Sequence, residues 1–412
     1  MKKRESELCK EISARLKEVH IGKFLGMEAP LFLISETYPG IWLEHVYDSV
    51  FYAKMNPEYL YLAENTTELF LSLQKEDGQL PYCVIDGNRR PEAKKEELVG
   101  YWQIQECVSF ARLCYMIYEM NESRDFLDYA YASLSKWAGW LRKNRMTRGL
   151  GLVEMFVGFD TGHDRSGRLQ GMGCIGNNTI NGVRQNAAIL PHDDGVTPII
   201  AVDMSCNYYG TLTTLAKMAE ALGHREESGS WLEEAKEVKK RLFEICFDKD
   251  DCFFYDVDKN GKHRKYLSST IFHLFLEGVL DKDEDGELIR ELYERHIGNP
   301  KEFATPYPYP SMAISDPSCE GHAQNNCWGY YSQGLIALRC TLWMDKYGFS
   351  EDFDRLCRAW VDAWTEHYGT LKFGQELDPI TGVPTACSEW YSSTMLFYLY
   401  AAKRLERKGE TE

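Results

Sequence analysis

The sequence lacks the segments that mark membrane and secreted proteins. It contains no run of eighteen apolar residues, and its basic start, Met1-Lys2-Lys3-Arg4, leads into charged residues rather than an apolar stretch, so it predicts neither a membrane span nor a secretory leader. Its 13 cysteines include no Cys-x-x-Cys pair, which argues against a disulfide framework and against a cysteine zinc site. We therefore expect a cytoplasmic protein with reduced thiols and no membrane partner.

Positive charge and cofactor motifs are also scarce. The 47 Lys and Arg residues stand against 63 Asp and Glu residues, and the formal net charge is −16. Such a charge repels polynucleotides, so we expect no nucleic-acid partner and a small neutral or polar ligand. No glycine-rich phosphate loop or spaced set of metal ligands occurs, and the run His192-Asp193-Asp194 is typical of a solvated turn. The expectation is chemistry by side chains alone, with no cofactor and no metal.

Helical periodicity dominates, and it is interrupted by loops rich in Gly, Pro and Asn. Helical pairs recur about every 50 to 60 residues, and a helix-pair array that closes on itself forms a toroid around one central cavity. We therefore predict an all-α fold in which residues 1–412 form a single domain. The predicted helices cover residues 5–20, 41–52, 57–74, 101–120, 126–140, 203–222, 230–246 and 268–280, and Ser230 is the predicted N-cap of the seventh.

A loop with two carboxylates follows the helix predicted over residues 126–140. Asp160 and Asp164 stand among small residues in Asp160-Thr161-Gly162-His163-Asp164-Arg165-Ser166-Gly167-Arg168. Carboxylates in a loop that a ligand can approach closely suit acid chemistry on a sugar. Two Asp residues that cap a turn and pair with Arg165 or Arg168 would give the same pattern. The loop alone leaves both interpretations open.

This loop and the helix predicted before it resemble the corresponding segments of the six-hairpin α-glycosidases of the trehalase and processing α-glucosidase clan. The clan comprises glycoside hydrolase families 37 and 63 and includes mannosylglycerate hydrolase. Its loop reads approximately D-S-G-M-D-N-S-P-R and aligns without a gap, with its second Asp, the general acid, at Asp164. The resemblance covers nearly the whole chain in the right order. It implies an (α/α)6 toroid, a bare catalytic domain, and binding roles for Asp160 and Arg168.

A second match lies near the start of the chain. Tyr47-Asp48-Ser49 resembles the clan's W-D-S element with Tyr in place of Trp, and the resemblance implies that Asp48 holds hydroxyls of the terminal sugar. Trp42 and Tyr47 are candidate binding residues beside it. A carboxylate that the helix dipole favours at a helix start would explain Asp48 equally well.

Two further segments are expected at the pocket. Helix openings in such toroids face the central cavity, so Trp102, Gln103 and Gln105 are candidate lining residues at the start of the helix predicted over 101–120. Ordinary packing is the alternative for Trp102. Residues 169–200 are non-periodic and rich in Gly and Asn, and a loop of this length inside a compact domain is usually functional or disordered. We interpret it as a lid over the pocket.

The third match departs from the clan. Its W-R-G-P-x-W element carries an Arg that reaches the substrate, but this chain keeps only the Gly, as Gly329, and places Cys327 and Trp328 where Trp and Arg should be. Trp328 is therefore a candidate binding residue. Without that Arg, the resemblance does not indicate which sugar the protein binds.

The general base is the other open position. Phe373-Gly374-Gln375-Glu376 resembles the segment that supplies it, but a gapless alignment puts Gln375 there, and an amide cannot take a proton from water. Either Glu376 has taken the role by a one-residue slip, or Glu389 has, or there is no base. Glu389 and Trp390 lie in a segment similar to the clan's later W-S/T element, and with Gln375 they are candidate binding residues.

The resulting prediction is an inverting exo-acting α-glycoside hydrolase for a small α-glucoside or α-mannoside, with Asp164 as acid and Glu376 as base. An inverting phosphorylase needs no base because phosphate is an anionic nucleophile; Gln375 fits that alternative, and the net acidity argues against it. A sugar epimerase on the same toroid needs a His acid/base pair, and the ten His show no clear pair. A non-catalytic sugar-binding protein is the fourth interpretation.

Overall fold

The computed structural model describes residues 2–24, 29–156, 158–164, 166–169, 179–180, 183–184, 198–319, 328–369, 371–385 and 387–409. Most of the lid predicted over 169–200 lies outside these residues. The helices are α1 Lys3–Glu18, α2 Val46–Met55, α3 Leu60–Ser72, α4 Phe110–Asn121, α5 Arg124–Asn144, α6 Val202–Leu222, α7 Arg225–Arg241, α8 Phe272–Leu276, α9 Gly286–Leu292, α10 Gly334–Cys340, α11 Ser350–His367 and α12 Ser392–Gly409.

Strands in the described part of the chain are two or three residues long. They are β1 Ile21–Gly22, β2 Leu31–Phe32, β3 Gly40–Trp42, β4 Cys83–Ile85, β5 Val99–Gly100, β6 Glu154–Met155, β7 Thr179–Ile180, β8 Val183–Arg184, β9 Ile199–Ile200, β10 Phe247–Asp248, β11 Phe253–Phe254, β12 Asp256–Val257, β13 His263–Arg264, β14 Ser332–Gln333 and β15 Glu376–Leu377. The chain is therefore predominantly helical, as predicted. None of the described helices is long and apolar enough to cross a membrane.

The chain divides into two compact units, each with its own core. Unit 1 comprises Met1–Gly40, Tyr266–Ser269 and Asp281–Glu412, and unit 2 comprises Ile41–Lys265 and Thr270–Leu280. Helices α1 and α9 to α12 therefore belong to unit 1, and α2 to α8 belong to unit 2.

Helix α6 is the centre of unit 2. It packs against α4, α5, α7 and α8, and its apolar side chains, such as Leu212, Leu215 and Met218, are fully buried. Gly223 ends it with a left-handed backbone (φ 90°), and α7 begins two residues later at Arg225. This start corrects the predicted cap at Ser230, whose Oγ donates instead to the carbonyl of Glu226 at 3.1 Å inside the helix.

The start of α4 also differs from the prediction. The helix predicted from residue 101 begins only at Phe110, after Ser109, whose Oγ accepts from Arg112 N at 3.4 Å. A carboxylate oxygen of Glu106 also accepts from Phe110 N, at 2.6 Å. Because these side chains satisfy the first amides of α4, the preceding residues form a loop rather than another helical turn.

In unit 1 the core lies between α11 and α12. Phe353, Trp360 and Trp364 of α11 are buried, and the Trp360 ring meets Phe397 of α12 edge-on with centroids 5.8 Å apart. Helix α1 packs on both. Strands β14 and β15 pair antiparallel, with Gln333 opposite Glu376. That register places two polar residues side by side immediately before α10.

Candidate active site

Asp160 anchors the first end of the acid loop, which we define as residues 160–168. Arg145, at the end of α5, donates from Nη1 to Asp160 Oδ2 at 2.7 Å and from Nη2 to Oδ1 at 3.1 Å, and neither side chain is exposed. Phe156 N also donates to Oδ2 at 2.8 Å. Both carboxylate oxygens of Asp160, a predicted binding residue, therefore accept hydrogen bonds from within the protein.

Arg168 anchors the other end. Its guanidinium donates to Asp203 at the start of α6, with Nη2 to Oδ2 at 2.6 Å, and to Asp256 on β12, with Nη1 to Oδ2 at 2.8 Å. All three side chains are buried. Burial raises the pKa of Asp256, the positive charge of Arg168 opposes that shift, and the neighbouring Asp203 adds to it. Arg168 was predicted to bind substrate, and its guanidinium is occupied by these two carboxylates.

Gly162 lies where the acid loop meets the segment before α2. Its backbone is left-handed (φ 74°), and an added Cβ would lie 2.5 Å from Glu44 Oε2 and 2.7 Å from Cys107 Sγ. Only glycine fits both the torsion and the space. The buried Glu44 carboxylate was not among the predicted site residues, and no spacing in the sequence indicates it.

Asp164 differs from Asp160 in its exposure. Asp160 has no solvent exposure, whereas Asp164 is half-buried in the turn that follows His163. Both ends of the loop are fixed by buried ion pairs, which restrict the position of Asp164 between them. Of the loop's two carboxylates, Asp164 is the one with solvent exposure.

The predicted sugar-binding residues near α2 lie in the first turn of that helix and just before it. Asp48 and Tyr47 are buried, and Trp42 is half-buried at the end of β3. The Tyr47 ring meets Phe51 with centroids 5.7 Å apart, so Tyr47 also packs within its own helix.

Gln105 connects the loop before α4 to the acid loop. It is buried with a left-handed backbone (φ 48°), and its N donates to the carbonyl of Asp160 at 2.8 Å. Its side-chain Oε1 is buried and has no hydrogen-bond partner among the described residues. Gln103 is buried nearby, and Trp102 is half-buried with its ring 6.4 Å from Tyr82.

Glu376 in unit 1 is held by two donors. Gln333 Nε2 donates to its Oε1 at 2.9 Å and Thr385 Oγ1 to its Oε2 at 2.8 Å. Burial raises the pKa of Glu376, and these two hydrogen bonds oppose that shift. Donors aimed at the charged form of a carboxylate orient its oxygens, as a group that accepts a proton requires. Gln333 was not predicted, because its partner lies 43 residues away.

Gln375 and Glu389 occupy different environments. Gln375 is buried, and its Oε1 accepts from Tyr38 Oη at 3.3 Å and from Cys387 Sγ at 3.4 Å. Glu389 is exposed. The neighbouring Trp390 is buried with a left-handed backbone (φ 55°) and carries the Arg15 guanidinium 4.1 Å above its ring.

Trp328 also has a left-handed backbone (φ 65°), and it is buried beside Arg339 of α10, whose Cζ lies 6.0 Å from the ring centroid. Arg339 is only 4 % exposed. Its Nε and Nη2 have no hydrogen-bond partner in the part of the chain that the structure describes. No motif or spacing indicates this arginine, which lies on a helix buried throughout.

The structure also brings two histidines together, although the sequence showed no clear pair. The rings of His163 and His273 lie with centroids 6.2 Å apart in unit 2, and both are buried.

The sequence matches the family model of the mannosylglycerate hydrolase MGH1-like glycoside hydrolase domain over residues 48–394. The chain belongs to this family and is a glycoside hydrolase. This membership confirms the resemblance to the six-hairpin glycosidases. None of the curated proteins matches the sequence significantly.

Solved structures of such enzymes share the fold at low identity. The family 63 mannosylglycerate hydrolase of Thermus thermophilus, in complex with glucose, has a TM-score of 0.71 at 17% identity and covers 95% of this chain and 99% of its own. Neutral trehalase of Saccharomyces cerevisiae gives 0.66 at 13%, covering 96% and 79%. A metal-independent α-mannosidase of Streptococcus pneumoniae gives 0.59 at 10%, covering 97% and 93%. The fold is therefore the predicted all-α (α/α)6 toroid.

Proposed function

We propose that the protein is an inverting exo-acting α-glycoside hydrolase with Asp164 as the general acid. The observation that carries this assignment is the contrast within the acid loop. Asp160 and Arg168 are buried in ion pairs at its two ends, and Asp164 is its solvent-reachable carboxylate. A general acid needs a fixed position and access to the leaving oxygen. Family membership over residues 48–394 supports a catalytic domain that spans residues 1–412.

Glu376 is the general base in this proposal. Its two hydrogen-bond donors orient the carboxylate, and burial keeps its pKa above that of an ordinary glutamate. Glu389 is exposed and has no comparable support. Gln375 contributes hydrogen bonds rather than proton transfer, because an amide has no basic lone pair to offer.

The proposed reaction is a single displacement at C1 of the sugar. Asp164 gives its proton to the glycosidic oxygen as the bond from C1 to that oxygen breaks. Glu376 takes a proton from water, whose oxygen forms the new bond to C1 from the opposite face. The products are the free aglycone alcohol and a sugar with inverted anomeric configuration. Asp48, Trp42, Tyr47, Trp102, Gln103, Gln105, Trp328 and Trp390 are the proposed sugar-contacting residues.

Arg339 favours a substrate with an acidic group. Two nitrogens of this buried guanidinium have no hydrogen-bond partner among the described residues, which costs folding free energy, and an oxyanion would satisfy them. The Thermus hydrolase acts on mannosylglycerate and was also crystallised with D-glycerate. The first substrates to test are therefore α-mannosylglycerate and α-glucosylglycerate, each with a free carboxylate. The guanidinium of Arg339 would also bind phosphate, as a phosphorylase requires. The experiment must therefore distinguish hydrolysis from phosphorolysis.

The deciding measurement is a proton NMR time course on α-mannosylglycerate, α-glucosylglycerate, trehalose and α-1,6-mannobiose, with and without inorganic phosphate. We expect phosphate-independent release of the β-sugar first, since water attacks opposite to the leaving group. Initial release of the α-sugar would reject the inverting mechanism. Cleavage only with phosphate, to a sugar 1-phosphate, would establish the phosphorylase instead.

A further inference from the structure

Three buried side chains of unit 2 come together beside the acid loop. One ligand atom from each of His163, Asp203 and His273 lies within 4.8 Å of those of the other two. His163 Nδ1 is 4.0 Å from Asp203 Oδ2, and the three residues are 2 % to 4 % exposed. Two imidazoles and a carboxylate are the donor set that Zn²⁺ commonly takes in proteins.

His273 is held in one tautomer. Its Nδ1 lies 3.1 Å from Asn207 Oδ1, and Asn207 Nδ2 donates to the carbonyl of Glu106. Because the amide NH₂ is engaged by that carbonyl, the amide oxygen faces the ring and Nδ1 carries the proton. The lone pair of His273 is therefore on Nε2. Metal-binding histidines are typically fixed in this way through their other nitrogen.

Asp203 is held by hydrogen bonds to both of its carboxylate oxygens. Arg168 donates to both of its oxygens, at 2.6 and 3.3 Å, and Met204 N donates to Oδ1 at 2.9 Å. A carboxylate offers about four lone-pair positions, so these donors leave room for a metal bond. Arg168 is shared with Asp256, and Arg264, which is half-buried, donates to the Arg168 carbonyl.

The surroundings are acidic as well. The carboxylates of Glu106 and Glu277 are also buried in unit 2, and burial together with the nearby Glu277 carboxylate raises the pKa of Glu106 to about 7. Asp203 and Asp256 share the single guanidinium of Arg168. Two carboxylates on one guanidinium favour a further cation at the cluster.

The sequence adds an independent observation. The clan's loop, D-S-G-M-D-N-S-P-R, aligns without a gap and has Met at the position of His163. A thioether is a poor ligand for Zn²⁺, whereas an imidazole is a good one. His163 supplies such an imidazole, and its ring centroid lies 6.2 Å from that of His273.

We propose that His163, Asp203 and His273 bind a single divalent transition-metal ion, with Zn²⁺ as the expected metal and water as the remaining ligand. Around a tetrahedral zinc the ligand atoms stand about 3.4 Å apart, so the three side chains close by roughly 1 Å on binding. His163 directly precedes Asp164, so the ion fixes the backbone that carries the proposed acid. It is a positioning site, separate from the proton transfers.

The test uses the full-length protein stripped of metal with dipicolinate and then titrated with Co²⁺. We expect visible d–d absorption that saturates at a single equivalent, disappears when Zn²⁺ displaces Co²⁺, and is accompanied by a rise in Tm. His163→Met, which restores the clan's residue, and His273→Gln should both abolish the absorption. His224→Ala is the matched control, because its side chain is 44% exposed and lies outside the cluster, and it should bind Co²⁺ as the wild type does.

Absence of Co²⁺ absorption and of any Tm shift in the wild-type protein would overturn the proposal, whatever the variants do. So would absorption that survives in both His163→Met and His273→Gln while their circular dichroism spectra match the wild type. Because the binding readout needs no substrate, these outcomes are independent of whether the proposed hydrolysis is correct.

Discussion

Arg145 and Asp160 form a two-point ion pair, at 2.7 and 3.1 Å, with no solvent exposure of either side chain. The pair joins the end of α5 to the first residue of the acid loop. Removing one member of such a pair leaves a buried charge without its counter-ion, which is far more costly than losing a surface salt bridge.

We expect Arg145→Met and Asp160→Asn each to lower the free energy of unfolding by about 3–5 kcal/mol. The double variant should lose less than the sum, because the second change removes the stranded charge. Urea denaturation measures all three. Arg142→Met, which breaks the partly exposed pair with Glu234, is the control and should cost about 1 kcal/mol or less. An Asp160→Asn protein of normal stability with a raised KM would instead make Asp160 a substrate-binding residue.

Asp164→Asn should lower kcat/KM on an unactivated glycoside about 10² to 10⁴-fold, because the amide has no proton to give. Its melting temperature should stay near that of the wild type, since Asp164 is half-buried and is not part of the anchoring ion pairs. The loss should be much smaller on a dinitrophenyl glycoside, whose leaving group needs no proton. Asp250→Asn, in an exposed turn of the same unit, is the matched control. Full activity of Asp164→Asn on the unactivated substrate would remove the proposed acid.

Glu376→Gln should lower hydrolysis about 10² to 10⁴-fold, as expected for loss of a general base. Glu389→Gln is the matched control, since its exposed carboxylate should be dispensable, and Gln375→Glu should gain little. Initial rates on the best substrate of the panel measure each. If Glu376→Gln and Glu389→Gln both leave phosphate-independent hydrolysis unchanged, neither residue is the base.

The acidic limb of the kcat/KM profile should report the pKa of Glu376 in the free enzyme. Burial raises that pKa, so the limb should lie above the range of an ordinary glutamate, with activity present above it and lost as the pH falls through it. The Thr385 hydroxyl favours the charged form, so Thr385→Val should move the limb to higher pH. Thr381→Val, in the neighbouring exposed turn, should not. A limb that stays in place or moves to lower pH in Thr385→Val would contradict the assignment.

Arg339→Met should raise KM for α-mannosylglycerate by about 10- to 100-fold, the value of a charge-assisted hydrogen bond. KM for the methyl ester of the same glycoside should change little. Without ligand the variant should be more stable than the wild type, because a buried guanidinium with two unsatisfied nitrogens has been removed. Equal changes of KM on the acid and its ester would show that Arg339 does not recognise the carboxylate.

The sequence predicts well those helices whose positions depend on local periodicity, and those motifs that follow one another in the expected order. The helix predicted over 203–222 matches α6 closely, because its apolar pattern and Gly223 act over a few residues. The start of α4 was wrong because the carboxylate of Glu106 and the hydroxyl of Ser109 compete with another helical turn. The start of α7 was wrong because a Ser followed by Glu at the capping spacing also occurs inside helices.

Contacts between distant positions could not be read from the sequence. Gln333 meets Glu376 across a strand pair, and His163 meets His273 through the packing of unit 2. The roles of Asp160 and Arg168 illustrate the same limit. A motif can show that both residues belong to the acid loop, but only their buried partners, Arg145, Asp203 and Asp256, show that they hold it in place.

Three of the proposed sugar-contacting residues, Gln105, Trp328 and Trp390, have left-handed backbones that side chains other than glycine's seldom adopt. The left-handed backbone of each costs about 1–3 kcal/mol. Glycine at either buried Trp would leave a cavity that costs about 3–5 kcal/mol and outweighs the relieved strain, whereas at the smaller Gln105 the relieved strain should raise thermal tolerance while a proposed sugar contact is deleted. Selection for heat resistance and selection for turnover therefore oppose each other at Gln105. Directed evolution that selects only for thermal survival would therefore favour a more stable protein with lower hydrolytic activity.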